Sequence, residues 1–181
     1  YNDKFTIFIF GGSQGSEFIS KFSLNLIKCI DEEKIINSKF IIQCPKHMIK
    51  NITNDIKKLR SEIIIKDFFS NIDEVLKSSS LVISRSGAGS ISDIINYKIP
   101  SILIPLPTSK DNHQYYNALI LEKHDVAIIL DQNIEEINKA KKYIYEIYNN
   151  TNKVKKIYDE FDKIKVKNPN SLIYSLIIDE R

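Results

Sequence analysis

Residues Phe5–Phe18 read FTIFIFGGSQGSEF, an unalternating apolar and β-branched run that breaks into a glycine-rich turn. So short a run without alternation is the pattern of a strand buried on both faces of a parallel sheet. The turn that follows has two readings. GGSQG fits the nucleophile elbow G-x-S-x-G, in which Ser13 would attack a substrate. It also fits a strand-to-helix turn whose backbone N–H groups cradle an anion. In that reading Gly11, Gly12 and Gly15 let the main chain approach the anion, and Ser13 adds a hydroxyl. A tight turn whose glycines serve packing alone is the plainer alternative.

Working outward, runs of the same kind recur at Phe40–Cys44, Ile63–Asp67, Leu81–Ser84, Ser101–Pro105 and Ala127–Leu130. Segments with helical spacing separate them. Phe18, Phe22 and Leu26 share one helical face, as do Ile72, Val75 and Leu76, and then Ile91, Ile94 and Ile95. Asn71 stands at the expected cap of the second of these helices, with Glu74 three residues on. Strand and helix alternate, which predicts an α/β fold: a parallel sheet of about six strands with helices on both faces. Such sheets bind ligands beyond the carboxyl ends of their strands. The loops to read for chemistry are therefore GGSQG, FFSNID, RSGAGS and LPTSKDNHQ.

The chain has 181 residues, 43% of them hydrophobic, enough for one domain over 1–181 with a helical tail from about residue 133. The tail is lysine- and asparagine-rich, with helical runs expected at Ile134–Tyr148, Val154–Phe161 and Ser171–Ile178. Lys139, Lys141, Lys142, Lys153, Lys155 and Lys156 form a solvated helix face or, in a sharper reading, a membrane-surface patch. A net charge of +3 is too small to argue for nucleic acid as a partner. Cys29 and Cys44 match no ligand spacing and read as small buried groups in a reducing compartment. No apolar run approaches the roughly 20 residues that span a bilayer, and no signal peptide is visible, so a soluble or peripheral protein is expected. The chain opens on Tyr1 directly before a strand, without an initiator methionine, as a piece of a longer protein or a processed chain would.

The second glycine-rich loop, Arg85-Ser86-Gly87-Ala88-Gly89-Ser90, repeats the design of the first after another strand and before another helix. An arginine beside such a helix start suits an anionic group. Asp93 falls about one turn into that helix, where a carboxylate could accept from a ribose diol or simply favour the helix dipole. Two loops of this kind in one crevice suggest a nucleoside diphosphate. In the third loop Asp111, Asn112, His113 and Gln114 precede Tyr115, Tyr116 and Asn117. Their amides and imidazole could bond sugar hydroxyls, or Asp111 could be a plain helix cap. His47 and His124 read as surface residues.

Other chemistries fit less well. A dinucleotide-binding dehydrogenase needs G-x-G-x-x-G and an acidic residue ending the second strand, where this chain has Cys44-Pro45. A Walker loop needs Gly-Lys-Ser/Thr. No Asp-x-Asp pair and no His/Cys cluster offers to hold a metal. For an esterase, His113 lies too close to Asp111 in one helix start to make separate triad members.

Taken together, GGSQG after the first strand, SRSGAGSISD after the fourth and PLPTSKDNHQYYNALILEK after the fifth resemble the C-terminal domain of the MurG family. The match runs in order and with matching spacing from about Phe5 to Gln132. A eukaryotic dolichol-linked N-acetylglucosamine transferase subunit shares this domain, but GGSQG and DNHQ–NA favour the bacterial enzymes. The resemblance implies the Rossmann-like C-terminal half of a GT-B glycosyltransferase. That enzyme moves N-acetylglucosamine, with inversion, from UDP-N-acetylglucosamine to the undecaprenyl-linked muramyl-pentapeptide, making lipid II for peptidoglycan. It implies a peripheral place on the cytoplasmic face of the inner membrane, and no metal or other cofactor.

Carried over by position, Gly11, Gly12, Ser13, Gln14 and Gly15 would meet the diphosphate. Phe68 and Phe69 would pack on uracil, and Arg85, Ser86, Gly87 and Ala88 would line the nucleotide. Asp93 would hold the ribose, although the family usually carries glutamate there. His113 and Gln114 would reach the N-acetylglucosamine ring, Asn117 would support their loop, and Arg85 could stabilise the leaving group. The N-terminal acceptor domain is absent from these residues, so the chain is expected to bind donor and turn over little. A non-catalytic nucleotide-sugar binding module that needs a partner chain, or a nicotinamide-binding domain, are the alternatives.

Overall fold

The computed structural model describes residues 4–12, 15–33 and 37–164; the helical run expected at Ser171–Ile178 lies outside them. The strands are β1 (Phe5–Phe10), β2 (Ser38–Gln43), β3 (Glu62–Lys66), β4 (Leu81–Ser84), β5 (Ser101–Leu103) and β6 (Ala127–Ile129). The helices are α1 (Glu17–Glu33), α2 (Lys46–Ile56), α3 (Ile72–Lys77), α4 (Ala88–Tyr97), α5 (His113–Lys123), α6 (Ile137–Asn149) and α7 (Thr151–Phe161). The sheet has six strands in the order β3-β2-β1-β4-β5-β6, and every pairing is parallel.

That order follows from chirality. Parallel crossovers are right-handed, so connections that step one way from β1 put their helices on one face, and connections that step the other way from β4 use the other. Thus α1 packs with α2 and α6, while α4 packs with α3 and α5. The central strands are largely apolar because both faces are covered: Ile7, Phe8 and Ile9 in β1 and Leu81, Val82 and Ile83 in β4 are fully buried. Helix α1 packs against α6, and Phe22, Leu26 and Ile27 of the one and Ala140, Ile144 and Ile147 of the other are all buried in the core. The reversal of direction between β1 and β4 opens a crevice at their carboxyl ends, where ligands of such sheets bind.

The structure departs from expectation in a few places. β3 is an edge strand, with Ile63, Ile64 and Ile65 only half-buried and the charged Glu62 and Lys66 at its ends. Charged ends are a common defence of an open sheet edge. Helix α2 carries an apolar stripe of Met48, Ile49, Ile52 and Ile56 that packs against the core, of which only Ile52 is buried. Asn71 does precede α3, but its side chain caps no backbone N–H; its amide donates instead to Glu74 Oε2 at 3.4 Å.

Candidate functional site

At the carboxyl edge a cleft of about 520 Å³ is lined by Phe10, Gly12, Gln43, Phe68, Phe69, Ser70, Ile72, Gly87, Gly89, Ser90 and Asp93. Three of the four loops singled out in the sequence thus meet in one hollow. Their sides of the hollow differ in construction.

The turn after β1 is held shut. Gly12 and Gly15 have φ of 89° and 72°, left-handed values that glycine tolerates. A Cβ on Gly11 would lie 2.4 Å from Ser16 Cβ, so this glycine lets the turn close on itself. Ser16 caps α1, its hydroxyl accepting from the Ile19 N–H at 3.3 Å. Ser13 and Gln14 lie outside the described residues.

The loop after β4 is open. Gly87 is the N-cap of α4 and brings no side-chain cap, so the first N–H groups of that helix have no side-chain partner there. A Cβ on Gly87 or Gly89 would meet nothing within 4 Å. Free donors and empty space coincide at a helix start, where the dipole favours an anion. Ala88 begins this helix and contributes its backbone.

Asp93 lies one turn further and is half-buried. Burial, and secondarily the Asp73 carboxylate, pushes its pKa up from the ordinary carboxylate value. Asp73 in turn accepts from the Tyr97 hydroxyl at 2.9 Å. Opposite, Phe69 sets its ring edge-on to buried Phe8 at 5.7 Å between centroids. Phe68 beside it is 68% exposed, which leaves a flat apolar face at the rim of the cleft.

Arg85 does not enter the cleft. Its side chain is buried, with Nη1 donating to the carbonyls of Ile104 (3.0 Å) and Pro105 (3.2 Å). Nη2 donates to Ser16 Oγ (3.1 Å) and Gln132 Oε1 (2.6 Å), and the guanidinium sits over the Phe18 ring. These donors are engaged by loop anchors in this structure. Ser86 is also buried, its hydroxyl donating to the Gln114 carbonyl at 2.7 Å.

The third loop abuts the second from the far side. Buried Asn117 donates to the Ser86 carbonyl at 3.0 Å, so it supports the loop after β4 rather than its own. Gln114 Oε1 accepts from the Leu106 N–H at 3.0 Å. His113 Nδ1 lies 2.7 Å from the Lys110 carbonyl, so Nδ1–H donates to it and Nε2 is left for another partner. Neither His113, Gln114 nor Asn117 lines the cleft itself. The expected alternative of Asp111 as a helix cap does not occur: Asn112 precedes α5, and both have left-handed φ, 51° and 53°.

Three contributors were missed in the sequence. Gln43 is a polar residue ending an apolar strand, and donates to the Asp67 carbonyl at 3.3 Å. Ser16 sits immediately before a helix, a readable cap signal. Gln132 carries no local signal at all.

The model of the glycosyltransferase family 28 C-terminal domain matches residues 6–170. The chain belongs to this family. Among its relatives is the UDP-N-acetylglucosamine--N-acetylmuramyl-(pentapeptide) pyrophosphoryl-undecaprenol N-acetylglucosamine transferase of Wolbachia sp. subsp. Drosophila simulans (strain wRi). It is 30% identical over 172 residues, covering 95% of this chain and 50% of the relative. The transferase of the same name from Rickettsia prowazekii (strain Madrid E) is 38% identical over 148 residues, 81% of this chain and 38% of the relative. This family 28 domain therefore spans about half the length, or less, of the relatives it matches. In fold it is similar to Acinetobacter baumannii MurG, with a TM-score of 0.74 at 20% identity over 88% of this chain and 46% of that one. The glycotransferase of kitacinnamycin gives a TM-score of 0.66 at 11% identity, over 99% of this chain and 43% of that one.

Cys29 and Cys44 are free thiols; Cys44 is buried, which pushes its pKa up, whereas Cys29 is only half-buried, against the expectation that both are buried. Among the described residues no helix is long and apolar enough to cross a membrane.

Proposed function

We propose that this chain is the donor-binding half of an N-acetylglucosamine transferase, and that the cleft at the carboxyl ends of β1, β3 and β4 takes UDP-N-acetylglucosamine. The observation that carries the reading is the convergence there of an uncapped helix start, open glycines and a carboxylate one turn on. The N–H groups opening α4 suit a diphosphate, Asp93 suits the ribose diol, and the exposed Phe68 face suits uracil. Gly11, Gly12 and Gly15, with Ser13 and Gln14, complete the turn that faces the diphosphate. His113 and Gln114 serve the sugar side, with Nε2 of His113 as a partner for a hydroxyl. The relatives' names support this donor and an undecaprenyl-linked acceptor.

In the reaction proposed, an acceptor hydroxyl oxygen bonds to the anomeric carbon as its bond to the phosphate oxygen breaks on the opposite face. UDP leaves with the electron pair, and the hydroxyl proton passes to a base in the half of the relatives that this chain does not span. Charge builds on the departing diphosphate, where donors fixed in advance at the α4 start lower the barrier. No protein-held metal is called for, and the acceptor would be met at the cytoplasmic face of a bacterial membrane.

Calorimetry of the 181-residue chain tests the reading. UDP-N-acetylglucosamine should bind while NAD does not, and transfer should appear only when the half of the relatives that this chain does not span is supplied. Equal affinity for NAD, or no binding of either, would overturn it. Donor binding without transfer in the reassembled enzyme would leave a binding module.

A further inference from the structure

Behind the cleft, Arg85 occupies an unusual position. Its guanidinium is buried and hydrogen-bonded to Ser16, Ile104, Pro105 and Gln132, which belong to three different loops, those after β1, β5 and β6. Every one of these acceptors is neutral, and among the described residues no carboxylate pairs with it. A buried charge left without a counter-charge is costly, and folds ordinarily supply one. Here the neighbouring groups are the two glycine-rich turns: Ser16 follows Gly15, and Arg85 itself lies two residues before Gly87 in the cleft wall.

We propose that Arg85 is a positioning residue whose missing counter-charge is the diphosphate of the nucleotide sugar, with Gln132 and Ser16 as the neutral ties that keep that charge uncompensated until the ligand arrives. The inference rests on the donor-site reading above. It accounts for why the strongest acceptor on the guanidinium, at 2.6 Å, is an amide oxygen where a carboxylate would fit as well. A carboxylate there would stabilise the empty protein and weaken its hold on an anion. The ties also align the loops: one rigid fork fixes the α1 cap against the strand ends of β5 and β6.

The variant that separates charge from structure is Gln132→Glu. It keeps the shape and the hydrogen bond to Arg85 but brings the missing negative charge. Calorimetry on the 181-residue chain, with UDP and with uridine as probes, should show UDP affinity falling about tenfold as a buried charge is compensated internally. Uridine affinity should hold, and the melting temperature should stay level or rise. Gln132→Ala, which removes a tie but no charge, should cost UDP less than Gln132→Glu does. Arg85→Lys keeps the charge and loses the fork, so it should lower UDP and uridine affinity together through misaligned loops. If Gln132→Glu binds UDP as tightly as the unmodified chain, or loses UDP and uridine equally, Arg85 serves structure alone and the inference falls while the donor site stands. If the unmodified chain binds no UDP, the donor-site reading falls and this inference falls with it.

Discussion

Asp93 shows how one side chain can carry opposite pH dependences. Burial and the nearby Asp73 carboxylate raise its pKa, so the folded chain holds this proton more tightly than the unfolded chain does. Stability linked to Asp93 is therefore fully present below the unfolded carboxyl value and is lost as pH rises through the raised one. In the proposed donor site binding would run the other way, because ribose hydroxyls would donate to the ionised form. Uridine affinity should thus begin to fall at a pH above the ordinary carboxylate range, which a calorimetric pH series would show. Asp93→Asn should flatten that series, melt no lower than the unmodified chain at neutral pH, and leave inorganic diphosphate binding unchanged. A pH-independent uridine affinity in the unmodified chain would remove Asp93 from the ribose. The position of Asp93 was legible in the sequence, because one turn of helix past a glycine loop is a fixed offset. The direction of Arg85 was not. A long side chain can turn into a cleft or behind it, and the acceptors that decide, Ile104, Pro105 and Gln132, are distant in sequence.

Strands and helices were legible to the extent that burial wrote a pattern. All six strands were found because unalternating apolar runs mark them, with ends shifted by one or two residues where ladder bonds outrun composition. Cys44, for example, still donates its N–H to the Lys66 carbonyl at 2.9 Å although β2 ends at Gln43. Helix α2 was not read from the sequence, although Met48, Ile49, Ile52 and Ile56 fall at helical spacing along its core face. The lysines of α6 and α7 were left between a solvated face and a membrane patch. Lys139 lies 3.5 Å from Glu136 and Lys153 lies 2.6 Å from Glu146, pairings that favour the solvated face. Helix α6 also holds a testable flaw. Tyr143 is 5% exposed and its hydroxyl has no hydrogen-bond partner among the described residues. Burial, with Glu146 and Asp125 nearby, pushes its pKa well up, as expected of a phenol that cannot ionise there. An unpaired buried hydroxyl costs about 1–3 kcal/mol. Tyr143→Phe should accordingly raise unfolding stability by about 1 kcal/mol in urea titration. A loss of that size would mean the hydroxyl is paired after all.

The sheet as one body sets what a ligand can do to stability. Its two halves, β3-β2-β1 and β4-β5-β6, meet only where β1 pairs with β4, and the cleft draws its walls from both. An occupant touching Gly12 and Phe68 on one side and Gly87 and Asp93 on the other bridges that seam. Unfolding either half would then destroy the site, so binding energy should appear as stability of the entire sheet. A ligand at 100 times its dissociation constant adds about 2.7 kcal/mol to the folded state, or roughly a hundredfold in the unfolding equilibrium. Amides of Ile7–Ile9 and of Val82 and Ile83, fully buried in paired strands, should exchange only through global opening. Saturating UDP should slow them by about that hundredfold, and slow the β6 amides Ile128 and Ile129, which lie far from the cleft, less because an edge strand can open locally. Hydrogen exchange followed by mass spectrometry reads both. Were UDP to slow only the loops at residues 68–70 and 86–90, the site would be closing locally, and the sheet halves would not share its binding energy.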